Sequence, residues 1–372
     1  MTSTFCMATN KNQHFVPRCY LRPFTIDFAN AAINLFNIDR LKFIEHAPVK
    51  HQCSGDYFYG EDLALEKAIQ FTESTYAAAL RDIFKPGYRL TDSHRDLLRF
   101  FWLLQYSRTE AASRRLAEMN AAMGDVIGSE VTDFRLSIRE AVQIAMRTFA
   151  EHRDIADDLK ICLLRNRTSI PFVTSDDPAV LTNRWHLQDR RTKGRCFGLG
   201  SSGNLLILPL SPQVLCLGYD GDVYSVPHES GWVDVRHDAD VQAFNQHQFL
   251  NCRANIFVHD SVHAQGVHDA FIRVAPLRPK AKHLIHYAVL DVREGDLTRY
   301  RVIDHTIAGD HEEALIHTQV VHAHPSAWAK QLQWRPNGAV FTNGTGVGYV
   351  RRASLERRIH QDFRKELARQ TK

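Results

Sequence analysis

The sequence predicts a mixed α+β fold, in which a helical subdomain lies between β-rich segments and an amphipathic helix closes the chain. Apolar residues recur at three- and four-residue spacing from about residue 62 to residue 165, which is typical of helices. Short apolar runs bounded by turn residues lie on either side, which is typical of strands. Since helices and strands are segregated along the chain, the pattern favours α+β over alternating α/β.

The changes of pattern divide the 372 residues into four predicted parts. Residues 1–60 carry an N-terminal motif and a strand pair, and residues 61–165 form the helical subdomain. Residues 166–349 form a β-rich α+β part, and residues 350–372 form a basic C-terminal helix. A hydrophobic fraction of 44% is ordinary for a globular protein and excludes a disordered or fibrous one.

The first two parts contain one predicted strand pair and three predicted helical stretches. Residues 31–46 hold two short apolar runs around Asn37–Arg40, which predicts paired strands. Helical spacing follows from residue 63 to 76, from 96 to 123 and from 133 to 149. Thr91-Asp92-Ser93 supplies side-chain oxygens that can cap the first turn of the second stretch.

The third part is predicted to be mostly strands. Strands are expected at residues 169–174, 205–210, 214–219, 254–259, 283–292 and 339–342, with a helix at residues 239–252. The glycine-rich run of residues 343–348 is expected to be a flexible connection, with phosphate binding as the less favoured alternative. The last helix, residues 350–369, carries Leu355, Ile359, Phe363 and Leu367 at four-residue intervals.

The charge of the chain is concentrated at its end. Lysine and arginine exceed aspartate and glutamate by four, 46 against 42. Residues 350–372 alone hold eight basic and three acidic residues, so the rest of the chain is close to neutral. A surface that is basic throughout, as in many nucleic-acid-binding proteins, is therefore excluded. The basic helix is expected to dock on its own domain, with contact to nucleic acid or an anionic membrane as alternatives.

Cysteine usage and hydropathy predict a cytoplasmic protein without a transmembrane segment. The seven cysteines include no C-x-x-C pair, which favours reduced thiols over a disulfide framework. The first residues lack the pattern of a secretory signal, and no run reaches 18 apolar residues.

The segment from residue 12 to residue 24 carries an unusual motif. Its two prolines bias the preceding residues away from helix, which predicts a rigid extended segment. The pattern His-x-x-Pro-x-x-Tyr-Leu-x-x-Phe is formed by His14, Pro17, Tyr20, Leu21 and Phe24. In this pattern the chain resembles the bacterial domain of unknown function 4238 family.

The resemblance extends over about residues 12–260 with the order of the motifs kept. It continues through Phe58-Tyr59, Leu65-Glu66, Glu73, Gln105-x-x-Arg108-Thr109, Thr174-Ser175-Asp176-Asp177-Pro178, Pro209-Leu210-Ser211-Pro212 and the helix from Asn245 to Ala254. Beyond residue 260 the resemblance stops. The family implies no activity by itself, so function must be argued from the polar residues.

Five of these polar residues form a predicted site. His14 and Asp176 are the expected catalytic pair, because imidazole titrates near neutrality and a carboxylate can orient it or share its proton. Arg108 is expected to bind the substrate, since a guanidinium forks onto two oxygens of an anion. Gln105 lies one turn earlier on the same helix face, and Asn245 adds a neutral donor.

Structural roles for the same residues are the competing interpretation. Asp176 could close an Asx-turn at the end of a strand. Arg108 could pair with Glu66 or Glu73 across a helix interface, with Gln105 bound to backbone. His14 could be a hydrogen-bonded histidine that anchors the N-terminal segment. Both interpretations stay open on the sequence alone.

No metal or cofactor is assigned from the sequence. Thirteen of the 20 histidines lie between residues 228 and 324, but His259, His263, His268 and the pair His322-Ala323-His324 show no spacing typical of a known metal geometry. The predicted function is a hydrolase or nuclease that acts on a phosphate-containing substrate. The alternative is a non-catalytic binding protein whose basic C-terminal helix contacts nucleic acid or a protein partner.

Overall fold

The architecture is seen in a computed structural model that describes residues 11–61, 64–127, 134–295, 297–307, 313–356 and 362–369. Within these ranges the first elements are β1 (Asn12–His14), α1 (Arg18–Leu21), β2 (Ala32–Asn37), β3 (Lys42–Pro48), β4 (Ser54–Asp56), α2 (Ala64–Ile83), α3 (Asp92–Arg108), α4 (Glu110–Ile127) and α5 (Ile138–Glu151). Four consecutive helices thus separate the N-terminal strands from the strands that follow, which confirms the predicted α+β arrangement.

The chain then alternates short strands with a few helices. In order these are β5 (Lys160–Asn166), β6 (Thr174–Ser175), β7 (Val180–Thr182), α6 (Arg184–Gln188), β8 (Leu205–Ser211), β9 (Val214–Tyr219), β10 (Tyr224–Ser225), β11 (Trp232–Val235), α7 (Asp238–Asn251), β12 (Asn255–Val258) and α8 (Ala264–Val274). The last described elements are β13 (His283–Glu294), β14 (Leu297–Ile303), β15 (Ala314–Val320), β16 (Gln333–Trp334), β17 (Ala339–Thr342), β18 (Tyr349–Val350), α9 (Arg352–Glu356) and β19 (Arg364–Leu367).

A five-stranded sheet with the order β11-β5-β9-β8-β7 lies at the centre of the protein. Strands β8 and β9 are antiparallel neighbours joined at Pro212 and Gln213, and every residue in both is buried. Continuous apolar runs of this length are typical of strands covered on both faces. The sequence prediction of these two strands is confirmed.

The predicted N-terminal strand pair is confirmed and belongs to a larger sheet. Strands β2 and β3 pair antiparallel, and the full order of the sheet is β3-β2-β12-β6. The side-chain amide of Asn37 donates to Asn255 at 2.9 Å, which joins positions 218 residues apart. The N-terminal sheet is therefore completed by a strand from the middle of the chain.

The helical segment packs against the central sheet through α3. The indole nitrogen of Trp102 in α3 donates to the carbonyl of Ile207 in β8 at 3.2 Å. On another face of α3, the ring of Phe101 stacks on that of Tyr76 from α2, with centroids 3.5 Å apart. Thr91 caps α3 as predicted, with its hydroxyl accepting from the amide of His94 at 3.2 Å.

The predicted long helix of residues 96–123 is interrupted at Thr109. Thr109 has extended backbone angles (φ −72°, ψ 156°), so the run forms two helices, α3 and α4. Its hydroxyl accepts from the amide of Ala112 at 3.1 Å and so caps α4. The break places Thr109 at the junction of α3 and α4.

Residues 160–166 and 350–369 differ from the sequence prediction. Residues 160–166 form strand β5 instead of the end of the helical subdomain, because they pair with β9 on one side and β11 on the other. The prediction of a C-terminal amphipathic helix is wrong for the second half of residues 350–369. Helix α9 covers Arg352–Glu356, whereas residues 364–367 form β19, paired antiparallel with β17. Residues 357–361, with Ile359, lie outside the described ranges.

Tertiary contacts explain the strand at the C-terminus. The carbonyl of Ala368 accepts from the indole of Trp185 at 2.6 Å and from Arg191 at 3.2 Å. The fully buried Arg351 is paired with Asp158 at 2.8 Å. These partners lie far along the chain, and such contacts override local helix propensity.

The glycine-rich run of residues 343–348 is the turn of a hairpin. It joins β17 to β18, and Gly344 and Gly348 adopt the positive φ angles of 78° and 77° that such a turn requires. It therefore precedes a strand and not the expected helix.

Strand pairing crosses the predicted domain boundaries. Strand β5 runs to Asn166, across the predicted boundary after residue 165, and pairs with β9 and β11 beyond that boundary. Strand β12 pairs with β2 across the first two predicted boundaries. The four-part division itself remains a prediction. Across the ranges that the structure describes, no helix is both long enough and apolar enough to span a membrane.

Candidate functional site

The N-terminal motif forms part of the hydrophobic core. Tyr20, Leu21 and Phe24 are fully buried. The hydroxyl of Tyr20 is hydrogen-bonded to the hydroxyl of Thr174 at 2.7 Å, which ties α1 to β6. The aromatic spacing of the motif therefore serves packing, and the polar residues between these aromatics need separate consideration.

Gln105 and Arg108 converge on the backbone of the N-terminal segment. Both donate to the carbonyl of Phe15, at 2.8 Å from Gln105 Nε2 and 3.0 Å from Arg108 Nε. Arg108 also donates to the carbonyl of His14 at 2.9 Å and pairs with the carboxylate of Glu73 at 2.6 Å. The structure thus brings three predicted site residues together, and it includes the ion pair with Glu73 that the competing interpretation expected.

His14 enters this cluster through its backbone carbonyl. Burial, aided by the nearby charge of Arg18, lowers the pKa of the His14 imidazole to about 4. The ring is therefore neutral at physiological pH. Three atoms of the cluster are buried without a hydrogen-bond partner in the described part of the chain: His14 Nε2, Gln105 Oε1 and Arg108 Nη1.

Asp176 lies in a second cluster, which has hydrogen-bond partners different from those of the His14 cluster. Its two carboxylate oxygens accept from the backbone amides of Arg253, Ala254 and Asn255 at 2.8, 2.8 and 2.9 Å. The side chain therefore fixes the connection from α7 to β12. The expected Asx-turn on its own segment is replaced by contacts to residues 77 to 79 positions away.

Asn245 stabilises the segment that leads to Asp176. Its side chain donates to the carbonyl of Pro171 at 2.8 Å and accepts from the amide of Val173 at 3.0 Å. These bonds satisfy the backbone of residues 171–173, which explains why the predicted strand of residues 169–174 is reduced to β6. Asn245 also lines a cavity of about 460 Å³ beside α7 and α8.

Asp177 is a buried charge that the sequence analysis named only as part of the motif from Thr174 to Pro178. It accepts from the hydroxyl of Thr109 at 2.7 Å and from Arg115 at 2.6 Å, and it is fully buried. A buried carboxylate of this kind requires an ion pair. The adjacent Asp176-Asp177 pair in the sequence indicated a polar position. It did not show that Thr109 and Arg115 are the partners of Asp177.

A groove of about 1400 Å³ lies outside both clusters. Its walls come from five segments of the chain, which are residues 19–30, residues 77–89 from the end of α2 and the following loop, residues 165–167, residues 211–214 and residues 227–234. His14, Gln105, Arg108, Asp176 and Asn245 do not line it. The groove was missed in the sequence because its walls come from five segments that are distant along the chain.

Basic residues dominate the groove. Six lysine and arginine side chains but two acidic side chains line the groove. The basic residues are Arg22, Arg81, Lys85, Arg89, Arg165 and Arg167. Asp234 is already paired with Arg165 at 2.8 Å and with Arg167 at 3.3 Å. Arg81 and Arg89 have no carboxylate within ion-pair distance among the described residues. The groove therefore presents uncompensated positive charge.

Aromatic side chains lie between these charges. Phe28, Phe84, Tyr88 and Trp232 line the groove, and Phe28 and Phe84 are 51% and 40% exposed. The guanidinium of Arg165 lies 5.6 Å from the ring centroid of Trp232, and the indole nitrogen of Trp232 donates to the carbonyl of Tyr88 at 2.8 Å. Exposed rings beside cations can stack on flat ligands.

Cys19 connects the groove to the Arg108 cluster. It lines the groove, and its thiol donates to the carbonyl of Glu73, whose carboxylate binds Arg108. Burial and the negative charge of Glu73 raise the pKa of the Cys19 thiol to about 12. Cys19 is therefore a neutral thiol at physiological pH and lacks the thiolate that a nucleophile needs.

A single family model matches the chain from residue 12, where β1 begins, to residue 261, just after β12. The chain belongs to the DUF4238 family. The family's sequence model, described as a protein of unknown function, matches residues 12–261. Comparison with curated proteins and comparison with solved structures each gave no significant match.

The DUF4238 match covers both polar clusters and the whole lining of the groove. The groove residues extend from Cys19 to Asp234, inside the matched range. The DUF4238 region ends just after β12, the strand that completes the N-terminal sheet. In the described ranges, no three His, Cys, Asp or Glu side chains come close enough to hold a metal ion.

Proposed function

We propose that this DUF4238 protein binds single-stranded nucleic acid, which is a phosphate-containing ligand, in the basic groove. The observation that carries the proposal is the pair of unpaired arginines, Arg81 and Arg89, among exposed aromatic rings. Guanidinium groups bind phosphate oxygens in a forked geometry.

The combination of charges and rings favours single-stranded nucleic acid over a simple anion. Sequence-tolerant binding of single strands uses a positive groove along the backbone and aromatic side chains on which bases stack. Both features occur here within one cavity of about 1400 Å³. The binding surface proposed is this groove, and not the C-terminal segment, where Arg351 is buried and Arg352 is paired with Asp222.

Hydrolysis of such a ligand remains a prediction. His14 and Asp176 are bonded in separate clusters, and neither lines the groove, so the geometry supports binding more directly than catalysis. A nuclease function requires a cleavage activity that depends on these two residues. The same experiment can measure it.

Binding of a fluorescein-labelled oligo-dT, followed by anisotropy at low salt, tests the proposal. The double variant Arg81→Gln/Arg89→Gln should bind at least ~10-fold more weakly, because two phosphate contacts are lost. The slope of log K against log salt should also fall in magnitude by about 1.4, at ~0.7 per phosphate contact.

A matched control removes the same charge elsewhere. Arg147 and Arg153 are exposed and lie outside the groove, so Arg147→Gln/Arg153→Gln should leave affinity within about twofold. Equal weakening in both double variants, or no binding by the unaltered protein, contradicts the proposal. Cleavage of the oligo-dT that is lost in His14→Gln while binding persists would support the nuclease prediction.

A further inference from the structure

A cavity of about 100 Å³, smaller than the groove and than the cavity lined by Asn245, lies where β13 and β15 meet the body of the protein. Its lining includes Arg115 from α4, His247 and Asn251 from α7, Lys282 just before β13 and His322 just after β15. None of the groove residues takes part. The cavity is thus separate from the groove of the proposed function.

Lys282 brings an unpaired positive charge to this cavity. Among the described residues its ammonium group has no carboxylate within ion-pair distance and no hydrogen-bond acceptor. Among the described residues, the carboxylate that is ion-paired with the lining is that of Asp177, and it is neutralised by Arg115 at 2.6 Å. The lining therefore retains an uncompensated charge.

A second cation behind the lining adds to this excess. Within the part of the chain that the structure describes, Arg278 bonds to the carbonyl groups of Phe249 and Cys252 and to the sulfur of Cys252, none of which carries a negative charge while the thiol is neutral. Burial, followed by the charges of Arg278 and Arg115, lowers the pKa of Lys282. Crowding of like charges around a half-buried ammonium is relieved when an anion binds.

His247 adds an unused polar group. Its side chain is 3% exposed, and its ring contacts Trp328 but makes no hydrogen bond among the described residues. Buried polar groups are normally satisfied by protein, water or a ligand. An imidazole that lines a cationic cavity without a protein partner can donate a hydrogen bond to an anion there.

We propose that this cavity is a binding site for a free tetrahedral oxyanion, phosphate or sulfate, held by Lys282, Arg115 and His247. Water occupies about 30 Å³ per molecule in the liquid, so a cavity of about 100 Å³ has room for one such ion but not for a nucleoside attached to it. Guanidinium and ammonium groups are the ordinary protein ligands of these ions.

Calorimetric titration of the full chain with inorganic phosphate, and separately with sulfate, tests the site. We expect saturable binding by the unaltered protein and at least ~10-fold weaker binding by Lys282→Gln, since the unpaired cation is removed. Lys280→Gln is the matched control, because Lys280 is exposed, lies two residues earlier and does not line the cavity. It should bind like the unaltered protein.

Two further variants separate this site from the groove and from loss of folding. Arg81→Gln/Arg89→Gln should leave phosphate binding unchanged, and Lys282→Arg should retain it. Absence of binding by the unaltered protein, equal binding by Lys282→Gln and Lys280→Gln, or a loss confined to the groove variant would each overturn the proposal. Since oligo-dT binding depends on the groove, either proposal can fail while the other holds.

Discussion

The Arg108 guanidinium lies in the interior of the protein with none of its side chain exposed. It bonds to the carbonyl groups of His14 and Phe15 and to the carboxylate of Glu73. A single side chain thus connects α3 to the N-terminal segment and to α2. These contacts indicate a role in stability, independent of any ligand.

Arg108→Met should lower the free energy of unfolding by about 3 kcal/mol. The substitution keeps much of the apolar stem but removes one donor from each of the carbonyl groups of His14 and Phe15 and leaves the partly buried carboxylate of Glu73 without its cation. Urea unfolding followed by circular dichroism measures the change.

Arg114→Met serves as the control for this prediction. Arg114 pairs with Glu110 at 2.6 Å, and both side chains are partly exposed to solvent. Surface pairs of this kind contribute at most about 1 kcal/mol. If the two variants lose similar stability, the buried contacts of Arg108 do not have the proposed energetic role.

The sequence predicted which residues of this cluster share a face but not what they bind. Gln105 and Arg108 are three positions apart on a helix, and both do reach the same atom. That atom is a backbone carbonyl oxygen. Every residue carries one, so the sequence does not show which carbonyl these two side chains bind. Glu73 was identifiable only as one of two possible carboxylate partners.

Three amide side chains on one face of helix α7 bind the backbone of a neighbouring segment. Asn245, Gln248 and Asn251 are spaced three residues apart, and they bond to the carbonyl groups of Pro171, Pro178 and Asp177 at 2.8, 2.9 and 2.6 Å. The helix therefore holds the segment from residue 171 to 178 along its length. This arrangement replaces the strand pairing that the apolar run of residues 169–174 predicted.

Asn245→Leu should destabilise the protein by about 2 kcal/mol, because it leaves the carbonyl of Pro171 and the amide of Val173 unpaired. Hydrogen exchange should accelerate at Val173. Thermal unfolding and exchange mass spectrometry measure the two effects.

Gln242→Leu is the control on the same helix. Gln242 is exposed, so its substitution should change stability by less than about 0.5 kcal/mol and leave exchange at Val173 unaltered. Unchanged exchange at Val173 in Asn245→Leu would contradict the assigned function of α7.

Elements with strong local patterns were predictable, and elements defined by distant partners were not. Strands β8 and β9 and helix α7 follow from apolar runs and helical spacing. Strand β19 carries Leu367 at a spacing that equally suits a helix, and its pairing with β17 decides between them. Thr109 interrupts a helix in a run whose apolar spacing continues through it.

At the scale of the whole molecule, folding concentrates basic residues in the groove, which the composition of the chain does not show. The excess of four basic residues was assigned to the C-terminus, yet the groove gathers six basic residues from segments between residues 22 and 167. Counting along the chain cannot detect such a site, because folding brings the segments together. The groove was therefore outside the reach of the sequence analysis.

Stability should fall as the pH is lowered from about 6.5 towards 4. Burial lowers the pKa of four histidines to about 4, namely His14, His186, His247 and His322. Between these limits the unfolded chain binds protons at imidazoles that stay neutral in the folded protein, so acid favours unfolding. Urea unfolding at about pH 7 and about pH 5 measures the effect.

Carboxyl groups with a raised pKa act in the opposite direction. Burial raises the pKa of Asp176 and Asp220 to about 6 and also raises that of Glu66 and Asp157, so the folded protein binds protons there before the unfolded chain does. The four imidazoles act together with carboxyl groups whose pKa is lowered by arginine partners, such as Asp189 and Asp234, so the net effect is a loss of stability in acid. His247→Gln should reduce the pH dependence by up to about 1.4 kcal/mol per pH unit. Greater stability at about pH 5 than at about pH 7 would contradict the prediction.

The pairing of β2 with β12 has a consequence for synthesis of the protein on the ribosome. At ~5–20 residues per second, β12 is translated about 10–40 seconds after β2, which lies 218 residues earlier at the Asn37–Asn255 contact. During that time β2 can pair with β3 but has an open edge on its other side, and unpaired edges promote aggregation. We therefore expect this edge of β2 to be an aggregation-prone surface of the nascent chain until residue 258 has left the ribosome.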